Sequence, residues 1–223
     1  LRGFNLDHGT DLAFYLGGMP INLPSHGHGQ GYTDLNFIIP ELIERVDFRK
    51  GPYYADTGDF SSTGEVRLDY FRSLPKSLAK IEGGSFGYLR AVAASSATVG
   101  KGTILYAAEV GHDDGPWSHP DNATKFNGVV TYSQGTPAQG FSVTALGYHN
   151  EWEATDQIAK RAVDTGLIRR FGSLDTSDGG TSQRYGAIGE FHSGDADSRF
   201  EAVAYSYYYD LNLFSNFTYF LSD

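Results

Sequence analysis

From Leu78 onward one unit recurs along the chain: a strand-length segment of mixed or alternating polarity, closed by a polar, glycine-bearing connection, with no long 3.6-residue periodicity between repeats. That repeat confines the region to consecutive β-strands. The connections also alternate in length. Short ones fall at 99–102, 136–140 and 193–198, long ones at 111–125 and 150–183, and another begins near Asn212. In an up-and-down meander every second connection lies on the same side, so this alternation gathers the long loops on one face. The tight turn at 83–87 is the exception on that face. The pattern yields about seven strands, each near the roughly 9 to 11 residues that cross a bilayer obliquely. Seven such strands do not close a barrel.

The faces of individual strands sharpen the expectation. Ile104, Tyr106, Ala108 and Val110 share one face, opposite Leu105, Ala107 and Glu109. Tyr185, Ala187, Gly189 and Phe191 oppose Arg184, Gly186, Ile188, Glu190 and His192. One apolar face and one charged face is the dyad of a membrane barrel strand with a wet lumen. A mean hydropathy of -0.35 ordinarily points to a soluble protein. A barrel strand exposes only alternate residues to lipid, however, and so averages to mildly polar. Residues 200–209 are aromatic on both faces; the tyrosines at 205, 207, 208 and 209, with Trp117 and Trp152, read as ligand-stacking groups or, more readily for the tyrosines, as an interfacial girdle. In the long connection at 150–183 a helical turn is expected, with Asp156 as N-cap, Ile158, Ala162 and Val163 on one side and Gly166 as its stop.

Residues 1–72 differ. Prolines are more frequent, and strands at 11–16 and 45–49, a helical turn at 40–44 and a last strand at 64–71 describe a small mixed α/β unit. The short polar stretch Ser73, Leu74, Pro75 separates it from a second region at 76–223. The start at Leu1 has neither the basic residues nor the apolar run of a signal peptide, and both ends read as truncated. The absence of cysteine removes disulfides and thiolate metal ligands. A net charge of -10 without a run of Lys or Arg argues against a nucleic-acid partner, which needs clustered positive charge.

Three successive motifs in the first region, Arg2-Gly3-Phe4, then Phe14 through Gly17-Gly18 to Asn22, then Ile39-Pro40-Glu41 through Arg49-Lys50-Gly51-Pro52, resemble the plug motifs of TonB-dependent outer-membrane receptors in order and spacing. Gly17 stands where that family usually has Asp, and Asp47 where it often has Glu. Gly64-Glu65-Val66-Arg67-Leu68 resembles the plug's final strand more distantly, and Gly84-Ser85-Phe86-Gly87 resembles the first barrel hairpin. The resemblance implies a mostly β chain: the C-terminal part of a mixed α/β plug domain, then about seven strands of a transmembrane antiparallel β-barrel that in the family has roughly 22. It further implies the bacterial outer membrane, contact with its lipid, a small-molecule ligand, and TonB as partner through a segment upstream of Leu1. The implied activity is uptake of a scarce solute, a ferric siderophore or another metal chelate, with cobalamin or an oligosaccharide as alternatives. No cofactor and no catalytic group are implied.

The same resemblance places 24–32 at the ligand-facing apex of the plug, making Arg2, His26, His28, Gln30 and Tyr32 the candidate ligand contacts. Two imidazoles one glycine apart can bond a chelate's oxygens or, with His8, a metal; a Gly- and His-rich loop is equally read as polar and mobile. Arg49 and Lys50 are candidates for holding the plug to barrel carboxylates such as Glu109, Glu190 and Glu201, or else are solvated or locally paired. Asp113, Asp114, Asp175 and Asp178 lack EF-hand spacing and read as solvated loop carboxylates. Two other classes fit part of the pattern. A metallohydrolase built on His26 and His28 would need alternating helices, and a secreted β-sandwich binding module would explain short strands and glycine turns.

Overall fold

A computed structural model describes residues 11–25, 31–136, 138–195 and 197–216. Two sheets make up the molecule. The smaller contains β1 (Leu12–Leu16), β2 (Met19–Pro20), β3 (Ile43–Lys50) and β4 (Gly64–Tyr70), in the order β2-β1-β4-β3. β1 runs parallel to β4, and the other pairs are antiparallel. A single 3-10 turn, Pro40–Leu42, leads into β3, with Pro40 supplying the fixed φ that suits a first helical position. β1 and β2 meet through Gly17 and Gly18, at φ 51° and 78°. Two consecutive positive φ values define the tight hairpin turn that matches strand twist, and Gly-Gly reaches it without strain.

The larger sheet has seven strands in sequence order: β5 (Leu78–Gly83), β6 (Leu89–Val99), β7 (Gly102–Asp113), β8 (Ala123–Gly135), β9 (Gly140–Glu153), β10 (Gly179–Gly194) and β11 (Arg199–Phe214). All of its pairings are antiparallel, and the long connections 114–122 and 154–178 leave from the same side. Among the described residues the sheet is open, with β5 and β11 as its edges. Its strands differ from expectation in length. β7 to β11 run 12 to 16 residues because the ladders continue into segments that read as loops, pairing Asp113 with Ala123 and Glu153 with Gly179. Polar residues there still have backbone groups to satisfy, and a neighbouring strand satisfies them.

The core lies between the sheets. Leu16, Met19, Ile21, Phe37, Ile39, Leu42 and Leu68 of the small unit pack with Val92, Leu105, Ala107, Val129, Leu146, Tyr148 and Ile188 of the large sheet in one buried cluster. The inward residues of β7 are those expected: Leu105, Ala107 and Glu109 are buried, while Tyr106, Ala108 and Val110 are exposed. The outer face carries Phe126, Val130, Val143, Tyr185 and Phe191, each near half exposed. No helix among the described residues is long and apolar enough to cross a membrane, which leaves strand crossings unaddressed.

Two local expectations are corrected. The tyrosines of β11 do not form one outward girdle: the register Arg184↔Tyr209 and Gly186↔Tyr207 turns Tyr207 and Tyr209 inward, and only Tyr208, opposite Tyr185, joins the outer face. The short helix α1 spans Lys160–Asp164 and begins at Ala159 without a side-chain cap. Asp156 instead accepts a hydrogen bond from Ser215 Oγ at 2.8 Å, while Gly166, at φ 76°, ends the turn as expected.

Candidate ligand-binding site

The residues between β2 and β3 are held against the large sheet by two cations. The first is Arg90 on β6. Its guanidinium donates to both oxygens of Glu41, at 2.7 and 2.8 Å, to Glu82 at 3.0 Å and to Glu109 at 2.6 Å. Glu109 is fully buried and also takes Lys125 at 3.0 Å and the Asn127 amide at 2.6 Å. That amide reaches on to the Asn36 carbonyl at 2.9 Å, so one network ties β6, β7 and β8 to the small unit. The Arg90 fork holds the Glu41 carboxyl at about 2, against an ordinary 4.5.

The second cation, Arg184 on β10, is fully buried and makes no ion pair among the described residues. Its guanidinium lies 4.6 Å from the Phe37 ring, 5.2 Å from Tyr207 and 5.0 Å from Tyr209, and donates to the Ile21 carbonyl at 3.3 Å. Three aromatic faces enclose the charge, and the nearby Asp34 carboxylate favours it without touching it. Close by, Asp34 is buried and accepts bonds from the Asn36 N–H and side-chain amide, both at 2.9 Å, and from Ser182 at 3.1 Å and Tyr209 at 3.4 Å.

Above Asp34, on the side of the long connections, lies an open cavity of about 450 Å³. Tyr32, Trp117, Tyr148 and Trp152 give it aromatic walls; Asp34, Asp121 and Glu153 supply carboxylates, and Asn36 and Asn150 amides. Both tryptophans of the chain are therefore in it. Asp121 accepts the Trp117 indole N–H at 3.0 Å, yet burial pushes its carboxyl up, with Asp113 and Asp114 adding to the rise. Burial likewise raises the Tyr32 phenol, and the Asp34 charge reinforces it. Among the described residues the Tyr148 hydroxyl has no partner at hydrogen-bond distance, with Ser182 and Asn150 its polar neighbours.

A second cavity, of about 690 Å³, opens at the short-turn end. Thr103, Thr131, Ser133, Ser142 and Thr144 line its wall, with Arg45, Arg72, Lys101 and Arg199 around it and the carboxylates Glu44, Asp69 and Glu190 among them.

Of the expected ligand contacts, Tyr32 lines the first cavity. Arg2, His26, His28 and Gln30 lie outside the described residues. Among the described residues Arg49 reaches no carboxylate of the large sheet. It pairs with Asp56 at 2.9 Å and Glu65 at 3.2 Å, both in its own unit, and stacks 4.8 Å over Tyr54. The reason is local: Glu65 is directly opposite on β4 and fully buried, so its charge needs Arg49 and Arg67. Lys50 is exposed. The carboxylates expected to receive them are otherwise engaged, Glu109 by Arg90 and Lys125, Glu190 by Ser142, and Glu201 by Arg199 and His192. Among the loop acids, Asp113 and Asp175 accept backbone N–H groups two residues on, forming turns, and no cluster among the described residues is placed to hold a metal.

Sequence reading missed Asp34, Glu41 and Arg90 as site and clamp residues. A signal existed for Asp34 alone, since Asp-x-Asn is a turn-forming spacing, but nothing in it points to a cavity. No protein-family model matches the chain, and no curated protein matches it.

Proposed function

We propose that this chain is part of a TonB-dependent receptor that takes a scarce solute, most readily a metal chelate, across the bacterial outer membrane. In this reading the small unit is part of the plug, the seven strands are part of the barrel wall, and the first cavity is the outward-facing ligand site. One observation carries it. The small unit packs on the inner face of an up-and-down sheet whose outer face is a band of half-exposed apolar side chains, with both long connections at the end where the cavity opens. A sandwich would cover such a face with a second sheet. Here the second sheet lies on the other side.

The test is made on the complete gene product. Cell fractionation should place it in the outer membrane, with the heat-dependent gel migration of a folded barrel, and deletion of the gene should abolish accumulation of an iron chelate under iron limitation. Recovery of a monomer that folds in buffer without detergent would sink this reading in favour of a secreted binding module.

A further inference from the structure

The charge around the first cavity points to the kind of solute it takes; the step rests on the uptake reading above. Among the described residues its lining contains Asp34, Asp121 and Glu153 and neither Lys nor Arg. No cation of the lining neutralises these carboxylates. Among the described residues Asp34 is hydrogen-bonded by the neutral donors of Asn36, Ser182 and Tyr209, and its charge is offset in part by the buried Arg184 behind it. Asp121 is bonded by the Trp117 indole and the Asp121 charge is opposed by Asp113 and Asp114. Glu153 has His119 at 3.2 Å, an imidazole that also lies within electrostatic reach of Asp121, beside the Asn122 amide at 2.9 Å. The nearest buried cation, Arg184, is enclosed by Phe37, Tyr207 and Tyr209 and is not part of the lining.

Aromatic faces beside unneutralised carboxylates are the surroundings in which a cation is bound well and an anion badly, because ring quadrupole and formal charge act with the same sign. The buried Tyr148 hydroxyl, without a partner at hydrogen-bond distance among the described residues, adds a neutral group that can bond a ligand oxygen or nitrogen. The cavity at the opposite end has no such bias, since four Lys and Arg residues are among its lining.

We propose that the outward cavity selects solutes of positive charge and turns away anionic chelates, so that the cargo is a cationic chelate presenting a flat or amide-rich face to Trp117 and Trp152.

Because both tryptophans line the cavity, quenching of intrinsic fluorescence reports its occupancy. The complete receptor in detergent is titrated with three ferric complexes: ferrioxamine B, singly positive; ferrichrome, neutral; and ferric enterobactin, triply negative. The cationic complex should quench at a concentration at least tenfold lower than the anionic one. The double variant Asp121→Asn, Glu153→Gln, checked for native circular dichroism, should close most of that gap. An anionic complex that binds as tightly as the cationic one, or a gap untouched by the double variant, would overturn the charge selection and leave the uptake reading intact. Cellular accumulation of the cationic complex without any quenching would also overturn it. Absence of both quenching and accumulation would overturn both.

Discussion

The two cations that fasten the small unit to the large sheet do the same task by different physics. Arg90 works through charge: three carboxylates converge on one fork, and one of them, Glu109, is fully buried. Arg184 works through three aromatic faces and one carbonyl, with Nε and Nη1 unbonded among the described residues. A charge network fails abruptly when one member leaves, because the remaining charges are stranded in low dielectric. An aromatic enclosure degrades gradually, since packing survives the loss of charge. The turn Pro40–Leu42 is thus on a brittle fastening and Phe37 on a forgiving one.

The sharpest way to break this contrast is Arg90→Met, which leaves Glu109 and Glu41 without their guanidinium. A loss of about 3 to 5 kcal/mol in chemical denaturation is expected, with faster hydrogen exchange at residues 38–42. Arg184→Leu should cost less, about 1 to 2 kcal/mol, because an apolar side chain suits the rings it touches. Equal losses from the two variants would erase the distinction.

Acid offers a second separation. The Glu41 carboxyl is held at about 2 in the folded protein and titrates near 4.5 when unfolded, so its contribution is complete above pH 4.5 and disappears as pH falls toward 2. The shift corresponds to roughly 3 kcal/mol. Protection of the Glu41 and Leu42 amides, relative to their intrinsic exchange rates, should therefore fall between pH 4.5 and 2, and Glu41→Gln should remove that acid sensitivity. The smallest effect belongs to Lys80→Ala. Lys80 touches Glu41 at 3.3 Å and Glu82 at 3.0 Å from an exposed position, where solvent screens the charges, so the denaturation midpoint should hardly move. A large effect there would mean that the rim, rather than the buried fork, carries the network.

Much of the large sheet was legible because its information is local. Alternation along β7 assigned Leu105, Ala107 and Glu109 to one face without knowledge of any partner, and Gly17-Gly18 announced its own turn. The clamps were not legible. Glu41 and Arg90 are 49 positions apart, Ile21 and Arg184 163, and periodicity says which way a side chain points without saying what it meets. The same limit explains Arg49, whose partner Glu65 is set by the β3–β4 register. It also explains Tyr207 and Tyr209, where aromatic residues on both faces hid which side turned inward. Tyr32 was picked out through its place in a resembling motif; the carboxylates that share its cavity come from connections with no motif at all.

Among the described residues β11 brings 16 residues to an open edge, and its side chains Phe200, Val203, Tyr205, Tyr208, Leu213 and Phe214 are all roughly half exposed. An edge this long, with no proline and few charges, is a template. In the test tube, the first strand to reach it will set the fate of the preparation. Copies of this segment brought together at high concentration should add edge to edge and gel, and the remedy is a cap: a synthetic strand in register with Arg199–Phe214, or detergent added before the chain is allowed to fold.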